Sequence, residues 1–138
     1  MRRYRLIDHT ADLAVYFYGA TPREVFANAG PALFSIVLNH PPHGGVDQKR
    51  IEVAGRDPAD LLNRFLSELL YLFQSQGLIV TEAIIADLSD TALTANLIVV
   101  PFDLDIHGLK TDIKAVTYHQ LEFGPRPRGW RAKVVFDL

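Results

Sequence analysis

Only two stretches of this 138-residue chain repeat their apolar residues at the spacing of an α-helix. Both are flanked by short apolar or alternating runs of strand length. The first, "TPREVFANAGPALFSIVLN", offers Thr21 as N-cap, Pro22 at the first helical position and Glu24 to complete a capping box. Phe26, Ala29, Leu33 and Val37 share one face of it. Gly30 and Pro31 interrupt this run, yet the apolar phase continues through the break, so one kinked helix is expected in place of two. The second, "PADLLNRFLSELLYLFQSQG", is capped by Asp57 and Pro58, stops at Gly77, and presents Leu62, Phe65, Leu66, Leu69 and Phe73 to a core. Glu68 falls on the stripe of Leu61, Phe65 and Leu72, where it needs a cationic partner or water.

The remainder reads as β-structure. "YRLI" and "LAVYFYG" precede the first helix, "RIEVAG" lies between the helices, and "LIVTEAIIADL" and "ALTANLIVV" form a hairpin across "SDT". "PFDLDIHGLK" is a polar excursion leading to a strand "TDIKAVTYHQLEF"; after the turn "GPRPRG" the strand "WRAKVVFDL" ends the chain. "NHPPHGGVDQK" is a turn-rich loop, in which His40 and His43 read more simply as solvated than as metal ligands. Strands surround two helices with no regular βα alternation. The expected class is therefore α+β, two helices packed on a mixed or antiparallel sheet, in a single domain over residues 1–138.

Composition narrows the chemistry. There is no cysteine, which excludes disulfides, thiol catalysis and thiolate-bound zinc. A formal net charge of −2 argues against a broad electrostatic grip on nucleic acid, so contact with RNA is expected to be local or indirect. Basic residues gather at "MRRYR" and in "RPRGWRAK", with Trp130 between arginines, and read as a solvated face. No apolar run reaches membrane-spanning length and the basic N-terminus lacks the apolar core of a signal peptide, so the protein is expected in the cytoplasm.

Three further places break the pattern. "DHTAD", residues 8 to 12, packs two carboxylates, an imidazole and a hydroxyl between two strands, which serves turn formation or a metal or proton site. In the last strand Asp137 lies on the less apolar face, next to the α-carboxylate of Leu138; adjacent anions repel unless a cation sits between them or water screens them. In "TDIKAVTYH" alternation puts Lys114 with Val116 and Tyr118, and His119 with Ile113, Ala115 and Thr117. A lysine in that position ordinarily snorkels or marks an edge.

"DHTADLAV", the helix starting "TPREVFANA", "SELL", "IKAVTYH" and the terminal "VVFDL", in this order over nearly the whole chain, resemble the archease family. The resemblance implies a small non-catalytic protein that activates RtcB, the RNA ligase of tRNA splicing, by promoting its guanylylation and multiple turnover, and that meets RNA only through that partner. It also implies a bound divalent cation, Ca²⁺ or alternatively Mg²⁺, at the positions that are Asp12, Asp137 and Leu138 here. Lys114 is implied as functionally important, with Asp8, His9 and His119 as further candidates for the partner-facing edge. The chain departs from the family pattern at Val99 and Val100, where a Gly-Glu pair is frequent, and at Phe65 and Ser67, where Trp and Asn are. Two other functions remain open at this point. One is a metal-dependent hydrolase with His9 or His119 as base; the other is a chaperone-like binder, which would expose a sizeable apolar patch.

Overall fold

In the computed structural model, which describes residues 2–8 and 12–138 apart from the side chains of 6–8, β1 (Tyr4–Asp8) and β2 (Asp12–Gly19) lead into helix α1 (Pro22–Val37). Strand β3 (Asp47–Ala54), helix α2 (Pro58–Gln76) and the hairpin β4 (Leu78–Leu88) and β5 (Ala92–Pro101) follow. A four-residue helix α3 (Leu104–His107), the two-residue β6 (Ala115–Val116), β7 (Glu122–Arg126) and β8 (Gly129–Asp137) complete the chain. One sheet has the order β1-β2-β8-β6, with β7 also paired to β8; the other has the order β3-β5-β4. Every strand pairing among the described residues is antiparallel, which resolves the expected "mixed or antiparallel" in favour of the second.

Alternation decides which faces are covered. Leu13, Val15 and Phe17 of β2 point inward opposite Phe136, Val134 and Ala132 of β8, and the rings of Phe17 and Phe136 meet edge to face at 6.4 Å. Leu93, Ala95, Leu97 and Val99 of β5 supply the buried face of the second sheet. Both helices touch both sheets. Thr21 accepts from the Glu24 amide at 3.2 Å and Asp57 from the Asp60 amide at 2.8 Å, while Gly77 closes α2 at φ 64°, where a side chain would be strained. Pro31 sits inside a single continuous α1, and at Gly30 an added Cβ would lie 3.1 Å from that of Ala83, so the helix comes close to β4. Phe26 meets Phe65 at 5.9 Å, and Phe34, Phe73, Phe102 and the buried His107 form a chain of ring contacts.

Three expectations are corrected. "TDIKAVTYHQLEF" is not one strand, because side chains of α2 take carbonyls that a neighbouring strand would otherwise bind. The Asn63 amide donates to Thr117 O at 2.7 Å, and the Gln74 amide to Ile113 O and Lys114 O at 3.2 and 3.4 Å. The polar excursion contains α3, started by the Asp103 carboxylate, which accepts from the amides of Asp105 and Ile106. Trp130, grouped with the basic residues as a solvated face, is half-buried on the side that alternation gives it, with Ala132, Val134 and Phe136, 6.1 Å from the Phe123 ring. Glu68 is half-buried at the margin of the core, and His40 and His43 are exposed as expected. No helix among the described residues is long and apolar enough to cross a membrane.

At the start of α2, Asp60 is only 2% exposed. Its carboxylate accepts from the Arg56 amide at 2.8 Å, from Arg64 Nε at 3.0 Å and from the Tyr118 hydroxyl at 2.8 Å. The Arg56 amide above all, with Tyr118 and Arg64 against the opposing effect of burial, holds this carboxyl near a pKa of about 2 in place of 3.8. A depressed native pKa means that the stabilisation is complete above about pH 4 and is lost as pH falls through about 2. Urea midpoints measured from pH 6 to pH 2 should therefore fall more steeply for the wild type than for Asp60→Asn. Asn63→Ala, which strips the part-buried Thr117 carbonyl of its partner, should cost about 1 kcal/mol in the same measurement at pH 7.

Candidate functional site

Antiparallel pairing sets the last residue but one against the start of β2: Asp12 lies directly opposite Asp137. Residues paired in this way share a sheet face with Cβ atoms about 4.5–5.5 Å apart, and like charges so placed are destabilising. On the other side of β8, Asp137 is paired with Ala115, and the Lys114 amide donates to Asp137 O at 2.8 Å. Asp137, Leu138 and Lys114 are exposed and Asp12 is half-buried. Residues from the two ends of the chain and from the "KAVTYH" segment thus meet at one end of one sheet.

The donors at this end are oxygens. Two carboxylates with the α-carboxylate of Leu138 suit a hard cation such as Ca²⁺ or Mg²⁺, which completes its shell with water. Among the described residues no group of three or more His, Cys, Asp or Glu side chains is placed to hold a metal, so a site here needs the α-carboxylate as its third protein donor. The residues fit such an ion, and its charge would relieve the repulsion between Asp12 and Asp137.

Lys114 is held through its backbone, by Asp137 O on one side and the Gln74 amide on the other. The alternation expected for its segment does not hold: Ile113 is buried and Val116 half-buried, while Lys114 and Ala115 are exposed. A segment with only two paired residues has no reason to keep a strand's period. Thr117 is tied to Val135 O through both its amide and its hydroxyl, and the exposed His119 follows it with its amide on Thr117 Oγ1, so His119 stands back from Asp137 toward the start of β8. The backbone of Asp8 pairs with Leu13; its side chain, and His9 altogether, lie outside the described residues.

Sequence reasoning missed the residues that hold this edge in place, Asp60, Asn63 and Gln74. The available signal was an asparagine among Leu61, Leu62, Phe65 and Leu66, fully apolar neighbours on the buried face of α2. At the departures from the family pattern, Phe65 is buried against Phe26, and Val99 is buried while Val100 is half-exposed.

Comparison with known proteins places the chain in a family. The model of the Archease protein family (MTH1598/TM1083) matches residues 4–138. The protein archease of Methanosarcina barkeri is 36% identical over 141 residues, covering 99% of this chain and 97% of its own. That of Pyrococcus furiosus is 34% identical, with all of both chains covered. The solution structure of Methanobacterium thermoautotrophicum protein 1598 superposes with a TM-score of 0.81 at 26% identity over the whole of both chains. A crystal structure of a Thermotoga maritima archease, described as a possible chaperone, gives a TM-score of 0.62 at 22% identity over 100% of this chain and 98% of its own, a likeness of fold. With a family model matched from Tyr4 to Leu138 and relatives above 30% identity along the full length, this chain belongs to the archease family.

Proposed function

We propose that the protein is a non-catalytic activator of an RtcB-type RNA ligase in tRNA splicing, promoting the ligase's guanylylation and multiple turnover. One divalent cation, Ca²⁺ or Mg²⁺, is held weakly by Asp12, Asp137 and the terminal carboxylate of Leu138. The observation that carries this reading is the opposition of Asp12 to Asp137 with Lys114 tied to the carbonyl of the same aspartate. An acidic cation-binding tip beside an exposed lysine presents both signs of charge to a nucleotide-binding partner. When bound, the cation supplies positive charge that neutralises phosphate oxygens. Lys114 contributes a second, mobile cation for a phosphate or for an acidic group of the ligase.

A protein partner also accords with the surface next to this tip. Leu104 and Ile106 are 62% and 64% exposed on α3, with exposed Leu109 just beyond. Lys110 and Thr111, which follow, line a cleft of about 340 Å³ together with Leu138. Exposed apolar side chains beside the proposed site would be covered when a partner docks there. The description of the Thermotoga relative as a possible chaperone likewise concerns action on another protein.

Calorimetric titration with Ca²⁺ should find one site, abolished in Asp12→Ala; unchanged binding would remove Asp12 from the set. A tag fused after Leu138 should weaken both cation binding and ligase stimulation, whereas the same tag before Met1 should not; equal behaviour would count against the terminal carboxylate.

Lys114→Ala should unfold within about 0.5 kcal/mol of the wild type, as exposed substitutions do. Incubated with ligase, GTP and cleaved RNA, it should nonetheless fail to raise ligase guanylylation. Lys114→Arg should restore part of the effect, since the charge is kept and the donor geometry changed. Full stimulation by Lys114→Ala would overturn the assigned role.

A further inference from the structure

The face of the first sheet turned away from the helices carries a second arrangement, distinct from the acidic tip. One rung across it reads Arg5, Tyr16, Lys133, Glu122; the next places Tyr18 opposite Arg131, with the Tyr18 amide bonded to Arg3 O. The Arg131 guanidinium lies 4.1 Å from the Tyr16 ring centre and that of Arg5 5.2 Å from it. Tyr18 is tilted against Tyr16 at 6.4 Å. Arg3, Arg126 and Arg128 border the same rungs, so six of the chain's 14 lysines and arginines gather here. Among the described residues of these rungs Glu122 is the one carboxylate, 3.8 Å from Arg131. Asp12 and Asp137 lie at the far end of the same strands.

We infer that this face binds single-stranded nucleic acid. Cations in ranks across adjacent strands match a chain of phosphates, and Tyr18 with the ring-stacked guanidiniums offers planar surfaces for unpaired bases. An acidic peptide would use the charges and leave the planes unused. A membrane surface would require protruding apolar side chains, and these rungs have none. The net charge of −2 conceals the patch because acids and bases are segregated along the strands.

The test is fluorescence anisotropy of a labelled 15-nucleotide uridine RNA between 50 and 300 mM KCl. Neutralisation of three phosphates, by Arg5, Arg131 and Lys133, predicts a slope of log K against log salt of about −2. Charge reversal in Arg5→Glu/Lys133→Glu should weaken binding at least about tenfold and flatten that slope toward about −0.7. Tyr18→Leu, which keeps apolar bulk and removes the ring, should weaken RNA binding and leave heparin binding unchanged. Melting curves identify any misfolded variant, and the milder Lys133→Gln then serves in its place. The inference is overturned by absence of salt-dependent binding at 50 mM KCl, by equal affinity of the charge-reversed protein, by tighter binding of a duplex of the same length, or by a polyglutamate peptide that competes as well as the RNA.

Discussion

Pairing of β2 with β8 is the contact on which the rest of the molecule depends. It joins residues 12–19 to residues 130–137, nearly the two ends of the chain, so its formation carries a large loop-closure cost before any contact offsets it. What offsets it is the inward rank of Leu13, Val15, Phe17, Ala132, Val134 and Phe136, all buried under the helices. The same register decides function-bearing geometry. A slip of one residue would turn the inward rank of the slipped strand, with Phe17 or Phe136, to the other face, and it would also separate Asp12 from Asp137. Core burial therefore enforces the opposition of two carboxylates that electrostatics alone would not choose.

The third component of the acidic tip is held in another way. Lys114 belongs to a segment with only two paired residues, too few to order it by sheet hydrogen bonds. Helix α2 replaces the missing strand, with Asp60 anchoring Tyr118, Asn63 holding Thr117 and Gln74 holding Ile113 and Lys114 along nearly the whole helix. Buried polar residues such as Asp60 and Asn63 are costly unless satisfied, and here each is satisfied by the backbone or hydroxyl it positions, while Gln74 acts from the exposed end of the helix. The lysine side chain remains exposed while its backbone is fixed on two sides.

The helices were legible because their signals are local: Thr21 and Asp57 cap, Pro22 and Pro58 follow, Gly77 stops, and the apolar spacing runs between. The faces of β8 were legible for the same reason, since alternation needs no partner to be read. The "KAVTYH" segment was not, because its conformation is determined by side chains some 40 to 60 positions away in α2. The four residues of α3 are too few to show a helical period. For the site, the sequence indicated which residue types to watch, while their meeting at one sheet end depends on a register that only the paired structure supplies. Trp130 stands beside Arg128 and Arg131 in sequence but lies on the opposite face from Arg131, as alternation along β8 requires.

Two fields of opposite sign on one sheet face do not cancel at the distances involved. Lys133 is four residues from Asp137 along β8, about 13 Å at strand rise. The screening length at physiological salt is about 8 Å, so solvent-exposed charges at the two ends interact weakly. Each end therefore acts on its own surroundings, the carboxylate end favouring a cation and the arginine-tyrosine end an anion. A net charge of −2 is the sum of these fields and describes neither. The separation follows from sequence order in both strands, because Asp12 precedes Tyr16 and Tyr18 while Arg131 and Lys133 precede Asp137, and antiparallel pairing aligns like with like. A parallel pairing of the same two segments would instead have set Asp12 near Arg131 and parted it from Asp137.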